Sequence, residues 1–217
     1  KLKRQLTNNI NHELKTPVAS IQVCLETLLS GIELSDAKKM ELIERCYMNN
    51  TRLRNLLQDV SLITRMEEGT HMMPKEPVLL NTIIDEISEE LELVSENEKM
   101  VLHSNFDREV FVNGNLQLIG SIFRNLTENA IAHSGGRNIY INLLENDAQE
   151  CRISFEDDGR GVDPAKLARL FERFYRIDKG RSRQVGGTGL GLSIVKHAVQ
   201  FHGGTITVTN RPNGGLR

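Results

Sequence analysis

The chain has 217 residues, 39% of them hydrophobic, enough for one large domain or two small ones with a real core. Its formal net charge of −2, with acids and bases nearly balanced, argues against a nucleic-acid binder driven by bulk positive charge. Three cysteines (Cys24, Cys46 and Cys151), odd in number and far apart in apolar surroundings, read as buried hydrophobes in a reducing compartment, not as disulfides or metal ligands.

No apolar run approaches the roughly 20 residues of a membrane helix, and no signal peptide is visible. The chain opens without Met in the middle of a helical pattern, so it reads as a fragment, and any membrane anchor would lie upstream of it. The apolar positions Leu2, Leu6, Ile10, Leu14, Val18, Ile21, Leu25, Leu28 and Ile32 advance by fours and threes, predicting a helix to about Ser30. Gly31 stops it, and Ser35-Asp36 caps a second helix. Its stripe is Met40, Ile43, Cys46 or Tyr47, Asn50, Leu53, Leu57, Val60 and Ile63, ending near Glu68-Gly69. Two helices of roughly 45 Å each, at 1.5 Å per residue, joined by a short turn make an antiparallel hairpin. Alone they cannot enclose their apolar faces, so a homodimer closing a four-helix bundle is expected.

Asn11-His12-Glu13-Leu14-Lys15-Thr16-Pro17 sits early in the first helix. His12 lies off the apolar stripe, and an ordinary histidine is largely unprotonated near neutrality, able to attack an electrophile. Glu13 could take up the proton, and Thr16 lies one turn away. Pro17 has no N–H for the Glu13 carbonyl and crowds it, so the helix is expected to loosen there. Alone, such a histidine is usually just a solvated side chain.

Gly69 to Pro77 holds two prolines and no periodicity, and reads as a linker, with His71 merely solvated. Beyond it, Val78-Leu80 is a short strand candidate. Asn81 is expected to cap a helix to about Glu96 that buries Ile83, Ile84, Ile87, Leu91 and Val94. Val101-His103 and Val110-Val112 are further short strands, and Asn115 to about His133 a helix. Asn138-Leu144 and Cys151-Glu156 alternate as paired strands. Pro164 opens a short helix to Phe171, Leu190 to His202 is another, and Thr205-Thr209 is a β-branched strand. Helices with a mainly antiparallel sheet predict a two-layer α/β sandwich, its last strand lying past Arg217.

Asn125, Glu128, Asn129 and His133 share the polar face of their helix, where amide oxygens suit Mg²⁺; alone, that is a solvated face. Asp157-Asp158-Gly159-Arg160-Gly161 leaves a strand end, where a carboxylate can accept from an exocyclic amine such as adenine's; it is also an ordinary Asp-Gly turn. Gly186-Gly187-Thr188-Gly189-Leu190-Gly191 runs into a helix and offers N–H groups to phosphates. Its spacing is neither a Walker loop nor the dinucleotide fingerprint. Glu172 to Val185 between them is polar and basic, a mobile lid expected to be anchored by Phe171 and Phe174 packing into the sheet layer.

In this order the motifs resemble the ATP-binding domain shared by histidine kinases, DNA gyrase, the mismatch-repair ATPases and a heat-shock chaperone. The preceding His-Glu-Leu-Lys-Thr-Pro box selects histidine kinases among them. The resemblance covers the whole chain, with a dimerisation and phosphotransfer hairpin over about 1–73 and a catalytic ATP-binding domain over 74–217.

It implies that His12 is phosphorylated with Glu13 as general base, and that Glu13 with Thr16 forms a phosphatase pattern. Asn129, supported by Asn125, would hold Mg²⁺ beside His133. Asp157 would read adenine in a turn formed by Gly159 and Gly161, although a second Asp follows it where the family often has Asn. Arg176 would meet the γ-phosphate, and Gly187, Thr188, Gly189, Leu190 and Gly191 would form the phosphate loop. The implied partners are a second copy and a response-regulator receiver domain. The fragment would be cytoplasmic and the full-length protein anchored in the inner membrane. A dimeric scaffold that binds nucleotide without turnover, a protein acting mainly as a phosphatase, and a gyrase-like motor are the alternatives.

Overall fold

The computed structural model describes residues 2–68, 73–93, 100–147, 150–177 and 188–217, with side chains from 9 to 66 in the first of these segments. Helices α1 (Leu2–Leu29) and α2 (Asp36–Glu68) form the hairpin. Gly31 turns the chain with φ 74°, and Ser35 Oγ accepts from the Lys38 N–H at 3.3 Å, an N-cap where the sequence places one. Across the hairpin, Cys46 Sγ faces the Ile21 carbonyl (3.8 Å), and Asn49 Nδ2 donates to Ser20 Oγ (3.2 Å).

The apolar stripes divide in two. Pro17 and Cys24 on α1 and Leu42, Leu56 and Ile63 on α2 are buried, with Leu14, Ile21, Cys46, Leu53 and Val60 half-buried among them. Val18, Leu25, Ile32, Met40, Ile43, Tyr47 and Leu57 are exposed. Steps of alternating four and three straddle two seams of a helix, and one partner helix covers only one of them. The helix α1 continues through Pro17, whose side chain is fully buried.

The second unit begins with β1 (Glu76–Leu79), which leads directly into α3 (Leu80–Glu92). β1 pairs antiparallel with β3 (Phe111–Gly114). β2 (Val101–Ser104) runs parallel to β4 (Asn138–Asn146), which pairs antiparallel with β5 (Cys151–Asp157), with a register shift between Leu143 and Glu145. Helices α3, α4 (Leu116–Asn129) and α6 (Gly191–Phe201) complete the α/β sandwich, and α5 (Pro164–Leu167) is a single turn. Its core joins Leu80, Ile84 and Ile87 of α3 and Phe123 of α4 to Ile139 and Ile141 of β4.

Several expectations need correcting. Asn81 is not a cap, because α3 starts one residue earlier. Its amide instead ties down the 106–110 loop, donating to the Phe106 and Arg108 carbonyls and accepting from the Val110 N–H (2.9 Å). An asparagine carries donors and an acceptor, and this loop uses both. α3 ends at Glu92; residues 94–99, including Val94, lie outside the described residues. The helix expected to reach His133 is α-helical only to Asn129 and finishes in a π turn, Ala130–Ser134, closed by Gly135 at φ 71°. α5 stops at Leu167, short of Phe171.

Thr205–Thr209 forms no strand ladder. Only Thr209 is paired, exchanging two 2.8 Å bonds with Arg217. β-branched residues favour a strand through packing and pairing with a neighbour, and here the returning chain reaches back only that far.

His202 closes the sandwich's end. Its Nε2 accepts from the Asn115 N–H (2.9 Å), so its Nδ1 carries the hydrogen donated to the Ala198 carbonyl (2.7 Å). A doubly protonated ring cannot accept, and burial lowers this pKa. The unfolded chain therefore binds more protons, and stability falls as pH drops below about 6.5. His202→Gln is expected to lose less melting temperature than the parent between about pH 7 and pH 5; parallel acid limbs in thermal melts would remove this role.

Candidate nucleotide and phosphotransfer site

His12 and Thr16 are exposed on α1, as expected from their place off the buried seam. The Thr16 hydroxyl donates to the His12 carbonyl (3.4 Å), one turn back. Glu13 is not a free carboxylate: Arg52 Nη2 of α2 reaches its Oε2 at 2.9 Å, and both side chains are mostly covered. Sequence reasoning missed Arg52. Folding the chain about its turn at 31–35 sets residue 13 opposite the low fifties, so hairpin register was the available signal.

In the second unit an open cleft runs past Asn125, Asn129, His133, Asp157, Gly161, Arg176, Thr188, Gly189 and Gly191 and merges with grooves along α2 and the sheet ends. Along α4, Asn125 Nδ2 donates to the Ser121 carbonyl (2.8 Å) and Asn129 Nδ2 to the Asn125 carbonyl (2.6 Å). With the NH₂ groups turned into the helix, the side-chain oxygens remain as acceptors, the hard donors Mg²⁺ takes alongside water. The donor set fits that ion. A Cβ on Gly191 would stand 2.5 Å from Asn125 Oδ1, so only glycine lets the α6 N-terminus come this close to the amides. His133 edges the same cleft. Its pKa is pushed down by desolvation against the wall first, then by the Arg176 and Arg160 guanidiniums.

The two adjacent aspartates separate cleanly. Asp158 Oδ1 accepts from the Arg137 and Asn138 N–H groups (2.7 and 2.8 Å), and its Oδ2 accepts from Asn138 Nδ2 (2.6 Å). Burial alone would raise its pKa, but these donors hold it below the ordinary range. Asp158 pins the start of β4. Asp157 lines the cleft, and its Oδ1 accepts from the Gly159 N–H (2.9 Å). Burial raises its pKa, opposed by the Gly159 and Leu216 backbone. Any Cβ on Gly159 would overlap the Ser134 carbonyl, so the turn lies flat on the end of the π turn. Gly161 backs onto Asn210, which bonds both backbone groups of Val162 (2.9 and 2.6 Å).

Of the phosphate loop, Gly187 lies outside the described residues, as do lid positions 178–185. Thr188 Oγ1 accepts from the Leu190 N–H (3.2 Å), and Gly189 takes φ 72° with Arg176 Cγ 3.4 Å from where its Cβ would be. Leu190 is fully buried. Phe171 lines the cleft. Phe174 does not enter the sheet layer; it bonds Gly189 through its N–H (2.8 Å) and packs with Leu190, Ile194, Leu56 and Ile63 between the two units. Its φ of 61° lies in the left-handed region, uncommon for a residue with a side chain.

A helical hairpin with an exposed histidine, followed by an α/β sandwich with an amide-and-glycine cleft, defines a phospho-acceptor unit joined to an ATPase-type nucleotide fold. Residues 2–69 match the His Kinase A (phospho-acceptor) domain, and 114–217 match the histidine kinase-, DNA gyrase B-, and HSP90-like ATPase family. The chain belongs to the sensor histidine kinases. It is 30% identical over 214 residues to the phosphate regulon sensor protein PhoR of Pseudomonas aeruginosa, covering 99% of this chain and 48% of that protein. It is also 30% identical over 213 residues to the sensor-like histidine kinase SenX3 of Mycobacterium tuberculosis, covering 98% and 52%. The chain thus spans about half the length of these curated relatives. The histidine kinase AdeS of Acinetobacter baumannii shares the fold at a TM-score of 0.72 and 21% identity, each chain covered to 94%. Among the described residues no helix is long and apolar enough to cross a membrane.

Proposed function

We propose that the chain is the kinase core of a two-component sensor. ATP bound in the cleft gives its γ-phosphoryl group to a ring nitrogen of His12, the P–O bond to ADP breaks, and Glu13 takes the imidazole proton. The phosphoryl group then passes to an Asp of a response-regulator receiver domain. The observation that carries this is a hairpin that exposes His12, joined to a second unit on which Asn125, Asn129, Asp157 and the Thr188–Gly191 loop converge.

In this reading Asp157 accepts from adenine's amine, His133 and Arg176 flank the phosphates, and Gly187 to Gly191 cradle them. Asn129 and Asn125 would hold Mg²⁺, which when bound neutralises phosphate charge. Glu13 and Thr16 would also serve removal of phosphate from the receiver, measurable as phosphate released from a phosphorylated receiver domain. The two units are taken as 1–73 and 74–217, in a cytoplasmic core of a membrane-anchored protein. Incubation with γ-labelled ATP tests the proposal: an acid-labile, base-stable label that a receiver domain can discharge supports it, and unlabelled protein sinks it.

Arg52 holds Glu13 in place for this chemistry. Arg52→Met is expected to slow labelling about tenfold, as misplacement of a general base does, with nucleotide affinity unchanged. Equal initial rates would remove it from the mechanism.

The exposed seam of Val18, Leu25, Ile32, Met40, Ile43 and Tyr47 supports a homodimer that buries it as a four-helix bundle. Light scattering is expected to give twice the chain mass, reduced to one by Leu25→Glu with Ile43→Glu. A parent that is monomeric at working concentration would rule this out.

A further inference from the structure

We propose, resting on the kinase reading above, that Asp59 is a positioning residue that parks the catalytic unit on α2 through the phosphate loop and competes there with nucleotide phosphates. Thr188 Oγ1 donates to Asp59 Oδ2 at 2.8 Å, across 129 residues of chain. The same oxygen accepts from the Leu190 N–H, so the hydroxyl that shapes the loop is oriented by the hairpin. Beneath it an apolar cluster closes between the units: Leu56 and Ile63 of α2 against Leu190 and Ile194, all buried, with Leu14 and Phe174 at its margin.

Asn50, Arg54, Leu57, Gln58 and Asp59 of α2 line the cleft, whereas His12, Glu13 and Thr16 do not. Among the described residues no cation pairs with Asp59, whose carboxyl is pushed up by burial and held back by the hydrogen bond from Thr188. Glu128 of α4 lines the same cleft as Asp59, its carboxyl pushed up first by burial and then by the Asp59 and Glu90 charges, with Arg124 a partial offset. A triphosphate entering the loop brings more negative charge to the same spot. The loop can therefore hold Asp59 or phosphates well, but not both. By reciprocity, what the nucleotide does to parking, parking does to nucleotide affinity. An empty site keeps the unit against α2, and a filled one frees it to travel to His12.

The test uses the full chain in three forms: parent, Asp59→Asn, which keeps the shape and removes the charge, and Asp59→Ala, which removes the hydrogen bond as well. Calorimetry with a non-hydrolysable ATP analogue and Mg²⁺ is expected to show about fivefold tighter binding in both variants, the low end of ordinary site-to-site coupling. Small-angle scattering without nucleotide is expected to show both variants more extended than the parent, and the parent extending when analogue is added. Unchanged or weaker affinity overturns the competition, and unchanged scattering profiles overturn the parking. A parent that binds no analogue would instead count against the nucleotide reading, while scattering from the Asp59 variants would still test the parked contact. A merely structural Asp59 would lower melting temperature without tightening nucleotide binding.

Discussion

His12→Gln is expected to take up no acid-labile label from γ-labelled ATP while binding the nucleotide analogue as tightly as the parent. The glutamine amide is close in size to imidazole and keeps the helix, but its nitrogen lone pair is delocalised into the carbonyl and cannot attack phosphorus. His12 is exposed, so its replacement leaves no cavity and no unpaired buried group, and stability should change by no more than about 0.5 kcal/mol, as for neutral surface changes. The expected loss is the whole of the signal, since His12 is the one residue the proposed reaction phosphorylates. Residual acid-labile labelling in this variant, mapped by peptide mass to another histidine, would move the acceptor elsewhere. Labelling that survives acid would replace the phosphoramidate with an ester and change the reaction class.

Asp157→Asn is expected to weaken ATP binding about hundredfold, with little effect on GTP. A hydrogen bond to a charged acceptor is worth roughly 1.5–3 kcal/mol, or about ten- to hundredfold in affinity. An asparagine would also turn an NH₂ toward adenine's own NH₂, placing donor against donor, which sets the effect at the upper end. The turn itself should survive, because an asparagine oxygen can still accept from the Gly159 N–H. Parallel titrations with ATP and GTP read the result. Equal losses for both bases would mean that Asp157 shapes the loop and does not select the base.

Much of this is legible in the sequence alone, because the hairpin and the box depend on local rules: periodicity, a Ser-Asp cap and a glycine stop. The nucleotide cleft was legible as separate motifs whose order carried the meaning, and α4, β5 and α6 bring them to one wall. The ambiguity between Asp157 and Asp158 could not be resolved from sequence, since it turns on the backbone of Arg137 and Asn138, some 20 positions earlier. The same holds for Arg52 and Asp59, whose partners lie 39 and 129 residues away. The failure at Thr205–Thr209 is of another kind: β propensity describes a surface that needs a neighbour, and the neighbour was assumed. Phe174 escapes sequence reading for a similar reason, because an aromatic anchor says only that some apolar surface is near, not which unit supplies it.

Leu14 sits two positions beyond His12 and belongs to the same apolar knot as Leu190 and Ile194, at the doorstep of the phosphate loop. The helix that carries His12 and the Thr188–Gly191 loop are thus geared together through a few methyl groups. A twist or shift of α1 would be felt at the loop directly, so the helix that carries His12 and the loop that edges the cleft share one mechanical joint.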